Sequence, residues 1–154
     1  MNLDWTHNVT IWAGMTAWFL AQLIKFLEHL IRKREVDFNL FVRTGGMPSS
    51  HTSACAAVLT SVGLRDGLDS TLFSVTLLVT FIVMYDAQGL RRAAGQQARI
   101  LNQMLDQLRT QHRIQHGKLD ELLGHTRLEV FAGFLLGIAV ALLLHALAVQ
   151  RAGF

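Results

Sequence analysis

The chain has 154 residues, enough for one domain (residues 1–154) and too few for a second. Half of it is apolar (51%) and only 16% is charged, against about 25% in soluble domains; the mean hydropathy is +0.34. These values point to a bilayer as solvent. The single Cys55 excludes an internal disulfide, and the basic residues behind the net charge of +3 are unevenly spread.

In chain order, Met1 to Asp4 lacks a basic n-region and no small-residue cleavage site follows, so the first apolar stretch is expected to be retained. Spanning the hydrocarbon as a helix takes roughly 17–25 mostly apolar residues. Val9 to Ile31 qualifies and is polar only toward its end, at Lys25, Glu28 and His29. Pro48 to Leu64 is shorter, rich in Ser, Thr, Ala and Gly, and closes on Arg65-Asp66-Gly67. Leu72 to Ala87 is β-branched and Leu-rich, and Leu128 to Val149 is the most apolar segment. Four buried helices of a soluble bundle would show a polar face every 3.6 residues; the third and fourth segments show almost none.

From Ala93 to about His116 the pattern changes. Ala94, Ala98, Leu101, Leu105 and Leu108 recur at three- and four-residue steps, with Gln96, Gln97, Arg99, Asn102, Gln103, Asp106 and Arg109 between them. This spacing predicts an amphipathic helix, too polar to span, lying on the membrane surface or against the bundle; a partner-binding helix is the alternative. The predicted fold is all-α: an integral membrane bundle of about four transmembrane helices plus one amphipathic interfacial helix. Such a bundle is thin and compatible with a homodimer.

Four spans put both termini on one side and the connections 32–47 and 88–127 on the other. Those connections, with Lys25 at the adjoining span end, hold twelve Lys and Arg residues; the opposite side holds Arg65 and Arg151. The positive-inside rule places the basic connections in the cytoplasm and both termini outside a cell (inner) membrane.

The same count gathers chemistry at one depth. Lys25 and Arg32 end the first span, Gly45-Gly46-Met47-Pro48-Ser49-Ser50-His51 opens the second, Tyr85-Asp86 closes the third before Arg91-Arg92, and His125 and Glu129 open the fourth. Charged groups at membrane depth cost about 2.5–3.5 kcal/mol each on translocon scales and persist when paired with each other or with a ligand. Gly46 allows close backbone approach and Pro48 suits a first helical turn. The amides and hydroxyls of Ser49 and Ser50 would then face outward as an anion cradle. Arg32, Arg91 and Arg92 offer forked donors for phosphate, and Asp86 would pair with Arg91 or Arg92 or orient a site residue. His125 and Glu129 stand four apart, as if on one helix face, so the carboxylate could orient the ring, while His51 could protonate a leaving alkoxide. Such parts can support phosphoryl transfer through a phosphohistidine without metal.

Other features are absent. His7, His29, His112 and His116 lack ligand spacing, and there is no Cys/His metal cluster, Walker loop or dinucleotide fingerprint, so neither metal nor cofactor is expected. His145, alone in an apolar span, reads as a packing residue. The basic residues flank spans without interleaved aromatics, which favours anionic lipid over nucleic acid.

Residues 45–51, the run Met84-Tyr85-Asp86-Ala87-Gln88-Gly89-Leu90-Arg91-Arg92-Ala93-Ala94-Gly95-Gln96-Gln97-Ala98, and Leu123-Gly124-His125-Thr126-Arg127-Leu128-Glu129-Val130-Phe131-Ala132-Gly133 resemble the divergent branch of the type 2 phosphatidic acid phosphatase family, to which vanadium-dependent haloperoxidases are related. The likeness runs from about Lys25 to Gly137. In the main family a Lys is followed seven residues later by Arg-Pro; Lys25 and Arg32 keep the spacing, with Lys33 in place of the Pro. The family's Pro-Ser-Gly-His becomes Pro48-Ser49-Ser50-His51, which implies phosphate contact at Ser49 and the acid role for His51. In its third motif, Ser-Arg, five residues, His, three residues, Asp, His125 would be the nucleophile and Glu129 would replace the Asp, with Gly133 in register. Leu119 stands where that motif has Arg, and Arg91 or Arg92 would have to supply the guanidinium.

The resemblance implies a lipid phosphate or diphosphate phosphohydrolase acting at the cytoplasmic interface, with an anionic lipid phosphate as its substrate. Two other classes stay open: a protein that binds or transports anionic lipid without cleaving it, and an intramembrane serine hydrolase using Ser49 or Ser50, for which so many cations would be superfluous.

Overall fold

The computed structural model describes residues 8–34, 46–110 and 126–151, apart from the side chains of 88–94, 107–110 and 151. The described residues form four helices: α1 (Val9–Lys33), α2 (Ser50–Asp66), α3 (Thr71–Thr110) and α4 (Arg127–Arg151).

Local signals set the ends. The Asn8 side chain caps α1, accepting from the amides of Thr10 (3.1 Å) and Ile11 (3.4 Å). Arg34 closes the helix in the left-handed region, its amide donating to the Leu30 carbonyl. Arg32 and Lys33 place positive charge at the negative end of the helix dipole. The Ser49 side chain caps α2, the Ser70 hydroxyl accepts from the Phe73 amide (3.1 Å) at the start of α3, and Thr126 stands before α4. Pro48 thus precedes the α2 cap and does not occupy the first helical turn.

α2 is the centre of the bundle. It packs against α1, α3 and α4, whereas α3 touches α4 only sparsely. Ala56, Ala57, Ser53 and Ser61 of α2 are fully buried, and Ala57 clusters with Ala13 and Ala17 of α1 and Val140 and Ala141 of α4. Small residues let helix backbones approach closely where burial from water cannot drive packing. The approach is tightest between α2 and α4. A Cβ at Gly133 would lie 2.5 Å from the Ser49 carbonyl oxygen, and one at Gly137 would collide with that of Ser53. The central position also explains why α2 is less apolar than α1 and α4: its small and hydroxyl side chains pack against other helices.

α1 and α4 are long and apolar enough to cross a membrane, and Thr71–Ala87 of α3 is a shorter apolar segment. Their outer faces carry large exposed apolar residues, among them Met15, Phe19, Phe81, Ile82 and Leu143. One expectation is corrected. The amphipathic segment does not begin a separate helix near Ala93; its described part, to Thr110, continues the third apolar segment in one 40-residue helix, about 60 Å long at 1.5 Å per residue. The chain's only proline is Pro48, and an isolated Gly such as Gly89 or Gly95 costs only about 1 kcal/mol in a helix, too little to break it.

Candidate functional site

Hydrogen bonds between helices fix which ends meet. Lys25 Nζ, near the end of α1, donates to Ser50 Oγ at the start of α2 (3.3 Å) and to Gln22 Oε1 one turn back (3.0 Å). The Ser49 amide donates to the Glu129 carbonyl in the first turn of α4 (2.9 Å). The end of α1 and the starts of α2 and α4 therefore share one end of the bundle, as the sequence predicts.

At its centre is a buried ammonium. Lys25 is 7% exposed, Gln22 6% and Ser50 3%, and the Glu129 carboxylate acts on Lys25 electrostatically. The loop before α2 passes over the lysine stem: Gly46 has φ +81°, and a Cβ there would lie 3.7 Å from Lys25 Cδ. Glycine adopts that backbone without strain.

Ser49 differs from expectation. Its amide is committed to Glu129, and its hydroxyl accepts from Thr52 N (3.5 Å) and Thr52 Oγ1 (3.1 Å). It is fully buried, and its carbonyl accepts from Ser53 Oγ at 2.9 Å. The outward-facing cradle is thus reduced at Ser49 to an internal cap and lock. Ser50 is the serine of this pair that meets the lysine. His51 is exposed in the first turn of α2.

Glu129 is half-buried and completes a capping box: its Oε2 accepts from the Thr126 amide (3.2 Å), and its own amide donates to Thr126 Oγ1 (3.3 Å). α4 starts at Arg127, and the expected stacking of His125 over Glu129 falls on His125, which lies outside the described residues. Arg32, two turns beyond Lys25, is exposed and pairs with Glu28 at 3.1 Å. Asp86 is exposed on α3, and Arg91 and Arg92 lie further along its backbone, their side chains outside the description. Among the described residues no three His, Cys, Asp or Glu side chains are grouped to hold a metal ion.

Gln22 escaped the sequence reading. Its signal was present, a polar residue three before Lys25 and so on the same helix face, but it resembled any isolated amide in a span. At the opposite end Ser61 Oγ donates to Thr10 Oγ1 (2.9 Å) and lies 2.7 Å from His145 Nε2, while Arg65 reaches Asn8. His145 thus joins α4 to α2 away from the lysine cluster, in keeping with a packing role.

The family model described as "Divergent PAP2 family" matches residues 6–140, which takes in Lys25, Ser49, Ser50, His51 and Glu129. The chain belongs to the divergent PAP2 family. This divergent PAP2 protein is 40% identical over 148 residues, 89% of its own length and 94% of the relative's, to YuiD, an uncharacterized membrane protein of Bacillus subtilis (strain 168). No solved structure matches it. Family, relative and the apolar helices α1 and α4 together make it a membrane protein of this divergent PAP2 branch.

Proposed function

We propose that this divergent PAP2 protein is a membrane-embedded phosphohydrolase of lipid phosphates or diphosphates, acting at the cytoplasmic face of a cell membrane with α1, α2, the apolar half of α3, and α4 all crossing. What supports this most is the Lys25 ammonium, buried among Gln22, Ser50 and the nearby Glu129 carboxylate. A buried charge costs several kcal/mol unless well compensated, and a bound phosphate would add compensation beyond what one carboxylate supplies. Lys25 and Ser50 would bind the phosphoryl oxygens, joined by Arg91 or Arg92 of α3 and by Arg32. His125 would attack phosphorus, forming the N–P bond as the P–O bond to the lipid breaks, and His51 would protonate the departing alkoxide. Water then cleaves the phosphohistidine and releases inorganic phosphate. Glu129, anchored by its capping box, supplies the negative charge that favours a cationic ring, with Asp86 and Gly46 as supporting residues.

A second reading, non-catalytic binding or transport of anionic lipid, draws on Ser49, whose polar groups are already engaged within the protein, and on Leu119 in place of the motif arginine. Purified full-length protein incubated with phosphatidate, phosphatidylglycerophosphate and isoprenoid phosphates separates the two. Phosphate release that disappears in His125→Ala is the expected result. Binding without release from any of them would replace the enzyme by the lipid-binding protein.

A further inference from the structure

α3 is an edge helix that packs on α2 and touches α4 only sparsely. One uncovered side carries Val75, Val79 and Ile82 in its apolar half and Ile100, Leu101 and Met104 beyond it, each between 48% and 55% exposed. These form a single stripe: Ile82 and Ile100 are eighteen residues apart, five full turns at 3.6 residues per turn. Thr80, Ala87, Ala98 and Asn102 mark a different side, 8% exposed or less, so the chain itself covers that one. The far half of the stripe is out of reach of lipid. Ile100 lies about 20 Å along the axis past Ala87, or about 15 Å in depth if the helix tilts by about 40°, whereas a headgroup layer adds only about 5–8 Å.

We propose that this stripe is the contact of a parallel homodimer, α3 against α3 of a second copy about a two-fold axis along the membrane normal. The proposal takes α3 to cross the membrane and does not depend on the phosphohydrolase reading. A second copy is favoured because the face suits itself. In a two-fold contact each residue meets its own counterpart or a near neighbour, so the face must be free of strong like charge. Gln97, Leu101 and Met104 are uncharged and follow the four–three spacing of a coiled-coil seam, which Leu108 continues in sequence. Arg99 and Asp106 fall on other sides of the helix. Gln97 is the polar seam position that fixes register, its amide able to pair with that of its copy. Among the described residues one charge, Asp86, lies on the stripe, exposed at the end of the apolar segment where water and salt screen it. The area is also sufficient: the six apolar residues of two copies offer roughly 1,000 Å², where specific interfaces begin. The shared membrane orientation supplies the parallel alignment in advance.

Cysteine cross-linking of the full-length protein in its native membrane tests this, with Cys55 replaced by Ala. On mild oxidation Leu101→Cys is expected to form a disulfide-linked dimer, and Arg99→Cys, on a polar side of the same turn, at least tenfold less. Native mass spectrometry of the purified wild type should give the mass of two chains, and Ile100→Glu combined with Met104→Glu should give that of one. If the double variant fails to fold, the contrast between positions 101 and 99 decides. Equal cross-linking at the two positions marks random collision and overturns the proposal. A wild-type monomer overturns it as well, and maleimide labelling of Leu101→Cys then identifies the occupant. Protection by the bilayer alone would assign the face to lipid, and free reaction with a water-soluble maleimide would assign it to a different protein.

Discussion

The Ser49 amide donates to the Glu129 carbonyl across 2.9 Å, and Gly133, one turn further along α4, lies against the same serine. This contact joins the start of α2 to the start of α4, and a side chain at 133 would wedge them apart. Gly133→Ala should cost about 1–3 kcal/mol, as overpacking commonly does, and lower the melting temperature of the detergent-purified protein by several degrees. Gly63→Ala is the control, since a Cβ there meets only the side chains of Leu68 and Phe73, which can shift. Equal stability of the two variants would mean the contact is not a lock.

Lys25 and Gln22 should separate by degree. Lys25→Met removes the ammonium and should weaken binding of a lipid phosphate at least ~10-fold, because hydrogen bonds to charged groups are worth about 1.5–3 kcal/mol. Gln22→Leu leaves the charge but releases its tether (3.0 Å) and should weaken binding less. Lys25→Arg should not restore it, since a planar guanidinium does not fit a site shaped for a compact ammonium. Isothermal titration of each variant against dodecyl phosphate reads the order; a Gln22→Leu defect as large as that of Lys25→Met would contradict it.

Substitution can divide the capping role of Glu129 from the catalytic role proposed for it. Glutamine also serves in a capping box, so Glu129→Gln should keep the melting temperature while lowering phosphate release. Glu129→Ala should lower both. Vanadate should inhibit, because its trigonal-bipyramidal adduct resembles the phosphoryl-transfer transition state, and EDTA should have no effect. Full turnover in Glu129→Gln would remove the carboxylate from the mechanism.

The Ser61–His145 contact lies at the far end of the bundle and should matter only for stability. Ser61→Ala is expected to cost about 0.6 kcal/mol and no more than about 1.7, the range found for hydrogen bonds between membrane helices. His145→Leu should cost a similar amount, and the double variant less than the sum, because the two changes remove one interaction. Loss of phosphate release in Ser61→Ala at normal stability would link the two ends of the bundle.

Topology can be read by cysteine accessibility. With Cys55 replaced, a cysteine introduced at Asn8 should be labelled in intact cells by an impermeant maleimide, and one introduced at Phe38 should react only after the membrane is opened. Labelling at 38 from outside would reverse the proposed orientation.

Much of the candidate site was legible because its residue types stand out against an apolar background. Lys25, Ser50 and Glu129 are conspicuous in or beside spans, and alternation of the helices is enough to bring their segments to one end. Gln22 was not legible, because an uncharged amide in a span gains meaning only from the side chain it touches. The division of labour between adjacent serines was equally hidden. Ser49 and Ser50 are chemically alike, and only the approach of α4 makes one a buried cap and the other the lysine's partner.

The sequence by itself determined the helical, membrane-suited character of the chain, the apolar segments that became α1, α4 and the first half of α3, and the family likeness, because hydrophobic runs and motif spacing are local properties. Tertiary structure decided what depends on contacts distant in sequence: that α2 is central, that Gly133 and Gly137 lie against its backbone, and that Glu129 presents its carbonyl to Ser49 while its carboxylate caps α4. It also decided that α3 sits on α2 with little contact to α4, leaving a seam between them. Helix periodicity shows which residues share a face, but the neighbour that face meets is selected by close packing among all four helices at once.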